Sequence, residues 1–378
     1  MVTTEQRPML RFLIVQTAAS VVGLQCWMIL FNNFAVEIAG LDGLQVGIIG
    51  SVREIPGFLA LLAVFVMLVV KEHRLSALSI VFLGVGIALT GLFPSFTGLV
   101  ITTLIMSFGF HYYETTNQSL TLQYFNTATS PLIFGRLRSL AAATSIVIGL
   151  LLFLMGLVFS YRVMFLTVGT LITAAGIWGL LQDPTHKEVA LQHRKMIFRR
   201  KYSLYYFLTF MAGARRQIFT AFSVYLLVKV FQCTVTEITL LFVANNAVNF
   251  VLSPAIGRAI VRFGERRVLS LEYGGLIVIF LVYAFSGTKW VIVAMYLLDH
   301  ILFNFSIAIR TYFQKVADPK DIAPSMAVGF TINHIAAVII PAIGGALWMV
   351  DYRIPFVVGA AFSLVSLLAV QRIPRPGQ

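Results

Sequence analysis

Residues 183–201, DPTHKEVALQHRKMIFRRK, form the longest polar stretch of the chain and lie almost at its midpoint. On both sides, long apolar runs follow one another with only short polar breaks. A helix needs about 20 apolar residues to cross the hydrocarbon core of a bilayer. The chain is 59% hydrophobic and only 11% charged, whereas a soluble domain carries roughly 25% charged residues. The sequence therefore predicts an all-α integral membrane protein.

The apolar runs divide into twelve predicted spans, six on each side of the polar stretch. These spans are residues 10–36, 43–70, 75–93, 96–125, 137–160, 163–182, 203–230, 235–260, 268–286, 290–313, 322–348 and 353–371. An offset of 188 residues aligns Pro131 with Pro319, Gly156 with Gly344, and polar His111 with polar Asp299. We therefore predict two pseudo-symmetric six-helix bundles, residues 1–182 and 203–378, joined by a basic linker, residues 183–202.

The basic residues fall in alternate breaks between the spans. One set of breaks is rich in Lys and Arg, while the other contains only Arg162, Lys289 and Arg353. The positive-inside rule then predicts that both termini are cytoplasmic. We expect the chain to lie in the inner or plasma membrane of the cell. The net charge of +13 is spread over these breaks, not gathered in one stripe, so no nucleic-acid partner is predicted. Lipid is an expected partner, and we expect a monomer.

Several kinds of site are not expected. No phosphate-cradling G-x-x-x-x-G-K-[ST] loop occurs, so ATP is not the predicted energy source. No HExxH, CxxC or GxSxG motif occurs, and Cys26 and Cys233 show no metal-ligand spacing. We therefore predict no enzyme, cofactor or metal site.

The first apolar run is too long for a signal-peptide core, and we interpret it as a retained helix.

The segment GRAIVRFGERR, residues 257–267, resembles the loop signature of the major facilitator superfamily. That signature is Gly, three residues, Asp-Arg, one residue, Gly, then basic residues. The matching positions are Gly257, Arg262, Gly264, Arg266 and Arg267. Val261 replaces the Asp, Glu265 interrupts the basic end, and the loop after the second span, VVKEHRLS, lacks the first copy. The resemblance implies six plus six helices, alternating access, and a gating role for the five matching residues.

Ionisable residues inside the spans are the best functional clues, because a charge at a helix centre costs roughly 2.5–3.5 kcal/mol unless it faces protein or water. Arg215 and Arg216 lie near the middle of the seventh span. An arginine stays protonated and offers a planar fork of donors that suits a carboxylate or phosphate. Two interpretations stay open: an anion-binding site, or a buried ion pair with a carboxylate on a neighbouring helix.

The second and fourth spans carry further polar residues. Arg53 and Glu54 are adjacent, so we expect each to find its partner elsewhere, and Pro56 is expected to distort the helix just after them. His111, Glu114 and Gln118 have the i, i+3, i+7 spacing of one helix face. Glu114 is a candidate proton carrier, and a static salt bridge to an arginine is the alternative. Glu54 is a second candidate for proton coupling.

The remaining candidates lie in both halves of the chain. Asp299 and His300 in the tenth span and His334 in the eleventh are candidates for proton coupling, although a histidine among apolar residues is also a common hydrogen-bonded core residue. Asn245 and Asn249 in the eighth span are either cavity donors or interhelical hydrogen-bonding residues. Tyr113 and Trp27 are predicted to line a substrate path. The predicted substrate-binding set is Arg53, Arg215, Arg216, His111, Gln118, Asn245, Asn249, Tyr113 and Trp27.

These features lead to three functional hypotheses. The first is a proton-coupled secondary transporter of a small anionic organic solute, working by alternating access around a midplane site. The second is proton-driven efflux of hydrophobic or cationic compounds, with Glu54, Glu114 and Asp299 as the attracting charges. The fifth span lacks the Gly-Pro motif of drug-proton antiporters, which weighs against efflux. The third is a non-transporting receptor or assembly factor, which predicts that all buried charges are paired.

Overall fold

The computed structural model describes residues 3–67, 69–185, 192, 197–233 and 235–374. Throughout these residues, the regular secondary structure is helical, which confirms the all-α prediction. Half of the predicted linker, residues 186–191 and 193–196, lies outside the described residues. The α-helices are α1 (Arg7–Asn33), α2 (Gly43–Phe58), α3 (Ala63–Val66), α4 (Glu72–Thr90), α5 (Phe96–Tyr124), α6 (Ser130–Gly156), α7 (Tyr161–Leu180), α8 (Ser203–Ile218), α9 (Val224–Lys229), α10 (Val235–Phe263), α11 (Glu265–Phe285), α12 (Lys289–Phe303), α13 (Ile307–Val316), α14 (Ile322–Val350) and α15 (Arg353–Val370).

Within the described residues, ten helical segments are long and apolar enough to cross a bilayer. They correspond to all the predicted spans except the seventh and the eleventh. The seventh coincides with α8 and α9, where the polar triplet 215–217 interrupts the apolar run. The eleventh coincides with α14, which is 29 residues long. The helices are therefore consistent with a twelve-span membrane protein.

Local side-chain chemistry defines where several helices begin. Asp42 accepts a hydrogen bond from the Gln45 backbone N–H, and the Gln45 side chain accepts one from the Asp42 N–H, which forms a capping box at the start of α2. Ser95 accepts a hydrogen bond from the Gly98 N–H at the start of α5. These contacts satisfy N–H groups that the first turn of a helix leaves unpaired. The short polar breaks therefore fix the helix starts.

Proline distorts the second span as expected. The α-helix that contains Pro56 ends at Phe58 and continues as a 3₁₀ turn, Leu59–Leu62. The Leu61 N–H donates instead to the Thr331 hydroxyl oxygen at 2.9 Å. A side chain from α14 thus satisfies a backbone group near the break, as polar residues commonly do beside distorted membrane helices.

Two π-helical turns occur in the first and seventh predicted spans. One, Phe34–Ile38, follows α1, and the other, Phe219–Ser223, joins α8 to α9. A π turn adds one residue to the helical repeat and is frequent at functional sites. The 188-residue offset carries Phe34 onto Phe222, which lies inside the second π turn. The first and seventh spans therefore each contain a π turn, at positions that partly overlap under this offset.

The chain divides into two compact units. Unit 1 comprises Met1–Asn126, Leu140–Ile197 and Asp318–Thr331, and unit 2 comprises Thr127–Ser139, Phe198–Ala317 and Ile332–Gln378. The core of unit 1 is built from α1, α4, α5 and α7, with Trp27 and Phe34 among its buried aromatic side chains. The predicted domain limits, residues 182 and 203, remain a prediction.

Helices α4 and α7 pack in unit 1 through small residues. A β-carbon on Gly169 would lie 2.4 Å from the Ala88 nitrogen, and one on Gly84 would lie 2.5 Å from the Thr173 nitrogen. No side chain fits in that space, so the two backbones touch directly. Membrane helices use such small-residue contacts because packing, and not expulsion from water, drives their association.

Gly264 makes the turn between α10 and α11. Its backbone has φ +78° and ψ 158°, a combination that is essentially restricted to glycine. We expect Gly264→Ala to lower the free energy of unfolding by about 1–3 kcal/mol. Thermal unfolding in detergent measures the effect. The control is Gly274→Ala within α11, where an added β-carbon meets no atom within 4 Å. Equal melting temperatures for the two variants would contradict this role of Gly264.

Candidate functional site

In unit 1, Arg53 and Glu54 form the polar centre of α2. Arg53 donates to the Glu54 carboxylate from Nη2 at 2.7 Å and from Nε at 3.1 Å. The Arg53 guanidinium carbon also lies 5.0 Å from the centre of the Trp27 ring, a cation–π distance. The expectation that each residue needs a partner elsewhere is therefore wrong. The long arginine side chain reaches back to the neighbouring carboxylate despite the angle between the two positions.

The polar face predicted for the fourth span lies on α5. His111 and Gln118 are buried, and Glu114 is half-buried. A ring nitrogen of His111 lies within 4.8 Å of a Glu54 carboxylate oxygen. The His111 end of this α5 face thus lies close to the Arg53–Glu54 pair within unit 1.

Tyr113 and Trp27, the two predicted path-lining aromatic residues, are both buried in unit 1. The Tyr113 hydroxyl shares a 2.8 Å hydrogen bond with the Thr17 hydroxyl on α1. Trp27 stacks on Phe31 with ring centres 4.3 Å apart, and its indole N–H has no hydrogen-bond partner among the described residues. Trp27 therefore has a buried indole N–H without a partner among the described residues and a ring face that the Arg53 guanidinium covers.

In unit 2, Arg215 lies in a fully buried charged cluster. Its Nη2 is 3.9 Å from a Glu272 carboxylate oxygen on α11, and its Nη1 donates to the Ser366 hydroxyl on α15. The guanidinium also lies 4.3 Å from the centre of the Tyr273 ring. Arg215 and Glu272 each have only 3% of their side chains exposed. A carboxylate on a neighbouring helix thus faces Arg215, as the ion-pair interpretation requires.

Asp299 belongs to the same cluster. Arg215, Arg216, Glu272 and Asp299 line one cavity of about 20 Å³. Roughly 10–15 Å³ is enough for one water molecule, so this cavity has no room for an organic solute. One carboxylate oxygen of Glu272 and one of Asp299 have no hydrogen-bond partner among the described residues. The cluster therefore keeps unused acceptors that a proton or one small ligand can engage.

Among the other predicted polar residues of unit 2, Asn249 contacts Asn304. Its amide donates to Asn249 Oδ1 at 2.6 Å, and its carbonyl oxygen accepts from Arg138 Nε at 2.9 Å. Asn249 therefore takes part in an interhelical hydrogen bond. The His300 ring packs edge-on against Phe219 at 4.9 Å. Asn245 and His334 are buried in the same unit.

Comparison with known families identifies the fold. The family model described as Major Facilitator Superfamily matches residues 13–339 and, in a second match, residues 205–378. The chain belongs to the major facilitator superfamily. Membership indicates a multi-pass membrane transporter and not an enzyme. No curated protein matches the chain.

Solved structures of major facilitator proteins share this architecture. The human organic anion transporter MFSD10 matches with a TM-score of 0.77 and 11% identity over 98% of this chain and 100% of its own. A bacterial homologue of the iron transporter ferroportin matches with a TM-score of 0.78 and 15% identity over 96% and 98%. The E. coli fucose:proton symporter FucP matches with a TM-score of 0.76 and 14% identity over 99% and 100%. At these identities the likeness shows the fold alone.

The residues that match the superfamily's loop signature lie around the α10–α11 turn. A β-carbon on Gly257 would lie 2.5 Å from the Pro131 carbonyl oxygen, so this glycine lets α10 approach the start of α6. Arg266 donates to the Gln371 side-chain oxygen at 3.0 and 3.1 Å, whereas Arg262 and Arg267 are exposed. The gating role of these five residues remains a prediction.

Two residues of this region act in ways that the signature does not indicate. Glu265, which interrupts the basic end of the motif, is buried and accepts from Lys315 Nζ at 2.8 Å. Glu272 lies about two helical turns after Glu265 in α11 and forms an ion pair with Arg215. The sequence analysis did not predict a role for it. The available signal was its position, because Glu272 is the only acidic residue inside the ninth predicted span.

Proposed function

We propose that this member of the major facilitator superfamily is a proton-coupled secondary transporter of a small anionic organic solute. The observation that supports it is the cluster in unit 2, where two arginines and two carboxylates line one small cavity. Arginine stays protonated, so only the carboxylates change charge. With both carboxylates ionised, the formal charges of the cluster cancel.

Protonation of one carboxylate would leave the cluster with one excess positive charge. An uncompensated charge is costly in a buried, low-dielectric environment, so the protonated cluster favours an anion nearby. By thermodynamic linkage, a bound anion then favours the proton equally. Proton and anion would therefore move together, which is the coupling that a symporter needs.

The two arginines of this cluster would have different roles. Arg215 is engaged by Glu272, Ser366 and the Tyr273 ring, and the cavity beside it is too small for an organic solute. Arg216 is half-buried. We therefore assign the solute contact to Arg216 and the charge coupling to Arg215 with Glu272 and Asp299.

The remaining predicted residues complete the proposal. Trp27, Arg53, His111, Gln118 and Tyr113 are proposed for the solute path in unit 1, and Asn245 and Asn249 for that in unit 2. Glu54, Glu114, His300 and His334 are further candidates for proton movement. We also propose a monomer with both termini in the cytoplasm and the linker, residues 183–202, on that side. Among the fold relatives are an organic anion transporter and a proton symporter, as their names state.

Reconstitution in liposomes tests the function. We expect an imposed inward proton gradient to drive accumulation of at least one small organic anion. Glu272→Gln and Asp299→Asn should each retain exchange of labelled for unlabelled solute but lose accumulation. Glu114→Gln tests the alternative proton carrier in the same assay. Glu237→Gln is the control, because Glu237 pairs with Lys289 at 2.6 Å, apart from the cluster.

The outcomes separate the hypotheses. Gradient-driven movement of cations, with no anion moved, would favour proton-driven efflux. No movement of any solute would favour a non-transporting receptor, although that hypothesis expects every buried charge to be paired and Asp299 retains an unpartnered oxygen among the described residues. Full accumulation by both Glu272→Gln and Asp299→Asn would refute coupling through this cluster.

A further inference from the structure

One cavity in unit 1 is lined by none of the charged residues of the two polar clusters described above. It has a volume of about 680 Å³ and is bounded by the ends of α1 and α6, the start of α7 and the turn after α4. Its apolar lining includes Ile29, Phe34, Leu92, Leu152, Phe153 and Leu157. Pockets of about 300–1,000 Å³ hold molecules of the size of a drug or cofactor. This cavity is thus large enough for a substantial apolar ligand.

One end of the cavity is polar. Arg162, Asn33 and Tyr161 line it, and Arg162 is exposed. No hydrogen bond or ion pair engages the Arg162 side chain among the described residues. Glu37 lies next to this end, because it accepts from Asn33 Nδ2 at 2.8 Å and from the Tyr161 hydroxyl at 2.9 Å. The polar end therefore has a cationic lining residue, Arg162, and an anionic residue, Glu37, that is held by two other lining residues.

The apolar part faces outward on the unit. Phe153 and Leu157 have 66% and 69% of their surfaces exposed, although both line the cavity. In a membrane transporter, exposed apolar side chains near a helix end adjoin the acyl chains of the bilayer, and polar residues at the turns adjoin the headgroups. The cavity thus spans the boundary between those two regions.

We propose that this cavity binds a phospholipid whose headgroup carries a phosphate and a primary ammonium. The Arg162 guanidinium would hold the phosphate, since its donor fork matches phosphate oxygens. The Glu37 carboxylate would accept from the ammonium, with its position fixed by Asn33 and Tyr161. One acyl chain would fill the apolar part. Neither a purely anionic nor a purely cationic amphiphile matches both charges.

Native mass spectrometry of the purified full-length chain tests this site. Phosphatidylethanolamine is compared with phosphatidylcholine, whose ammonium has no N–H, and with phosphatidylglycerol, which has no ammonium. We expect the wild-type protein to retain phosphatidylethanolamine about tenfold better than either of the other two lipids. Each of them lacks one charge-assisted hydrogen bond, and the loss of one such bond corresponds to about this factor. Arg162→Ala should lower retention of phosphatidylethanolamine about tenfold, and Glu37→Gln should remove the preference over phosphatidylcholine.

Two further variants make the result decisive. Gly156→Leu adds a side chain at a cavity-lining position where a β-carbon meets no atom within 4 Å, so it should fill the space without disturbing the fold and lower retention of all three lipids. Arg353→Ala removes another exposed arginine at a helix start, in α15, and should change nothing. Equal retention of the three lipids by the wild type, or wild-type retention by both Arg162→Ala and Gly156→Leu, would overturn the proposal. Neither result depends on transport.

Discussion

Arg215→Gln is expected to lower the free energy of unfolding by about 3–5 kcal/mol, because removal of one partner of a buried ion pair leaves the other charge uncompensated. Glu272 and Asp299 would then line their small cavity with one arginine fewer, and Ser366 would lose its guanidinium donor. Arg216→Gln is the matched comparison at the adjacent, half-buried position, and its cost should be smaller than that of Arg215→Gln because Arg216 is less buried. Thermal and denaturant unfolding in detergent measure both variants.

A second substitution separates charge from packing. In the double variant Arg215→Gln with Glu272→Gln, no carboxylate is left opposite the missing arginine at that position. We expect the double variant to be more stable than Arg215→Gln alone, with a coupling free energy above about 1 kcal/mol. Additive losses would show that Arg215 stabilises unit 2 through its contacts with Tyr273 and Ser366, and that the ion pair contributes nothing.

Gly169→Leu is expected to destabilise unit 1 by about 3 kcal/mol or more, beyond the usual 1–3 kcal/mol of an overpacked core. The added β-carbon alone would lie 2.4 Å from the Ala88 nitrogen and 2.6 Å from the Gly84 carbonyl oxygen. Backbone atoms cannot move aside as a flexible side chain can, so α4 and α7 would have to separate. The melting temperature and the yield of folded protein in detergent both report this loss.

Gly149→Leu is the control for that prediction within unit 1. Gly149 lies in α6, where an added β-carbon would meet only the end of the Ile29 side chain at 4.0 Å. Since leucine also favours a helix more than glycine by up to about 1 kcal/mol, this variant should match or exceed the wild type in stability. If Gly169→Leu and Gly149→Leu have the same melting temperature, the prediction that the backbones of α4 and α7 are in direct contact is wrong.

Apolar run length was enough to predict most of the helices. Apolar run length was less informative for the seventh span, because Arg215 and Arg216 interrupt the apolar residues there but do not end the helix. There the charges are tolerated since Glu272 and Ser366, on two other helices, engage Arg215. Such compensation depends on tertiary contacts between distant parts of the chain. It is invisible in the hydropathy of one segment.

The same limit applies to the sites. The spacing of His111 and Gln118 correctly placed them on one helix face, since that depends only on helical geometry. The pairing of Arg53 with Glu54 was missed, because backbone angles alone do not show how far a long side chain can bend. Glu272 was missed because its importance comes from Arg215 and Asp299, neither of which is close in sequence.

The π-helical turn at Phe219–Ser223, between α8 and α9, has a consequence for comparisons with related chains. A single extra residue rotates everything beyond it by about 100° around the helix axis. A relative that lacks this residue would present different side chains to the same neighbours, even where the letters align without a gap. Substitutions copied from such a relative should therefore be shifted by one position in the helix beyond Ser223.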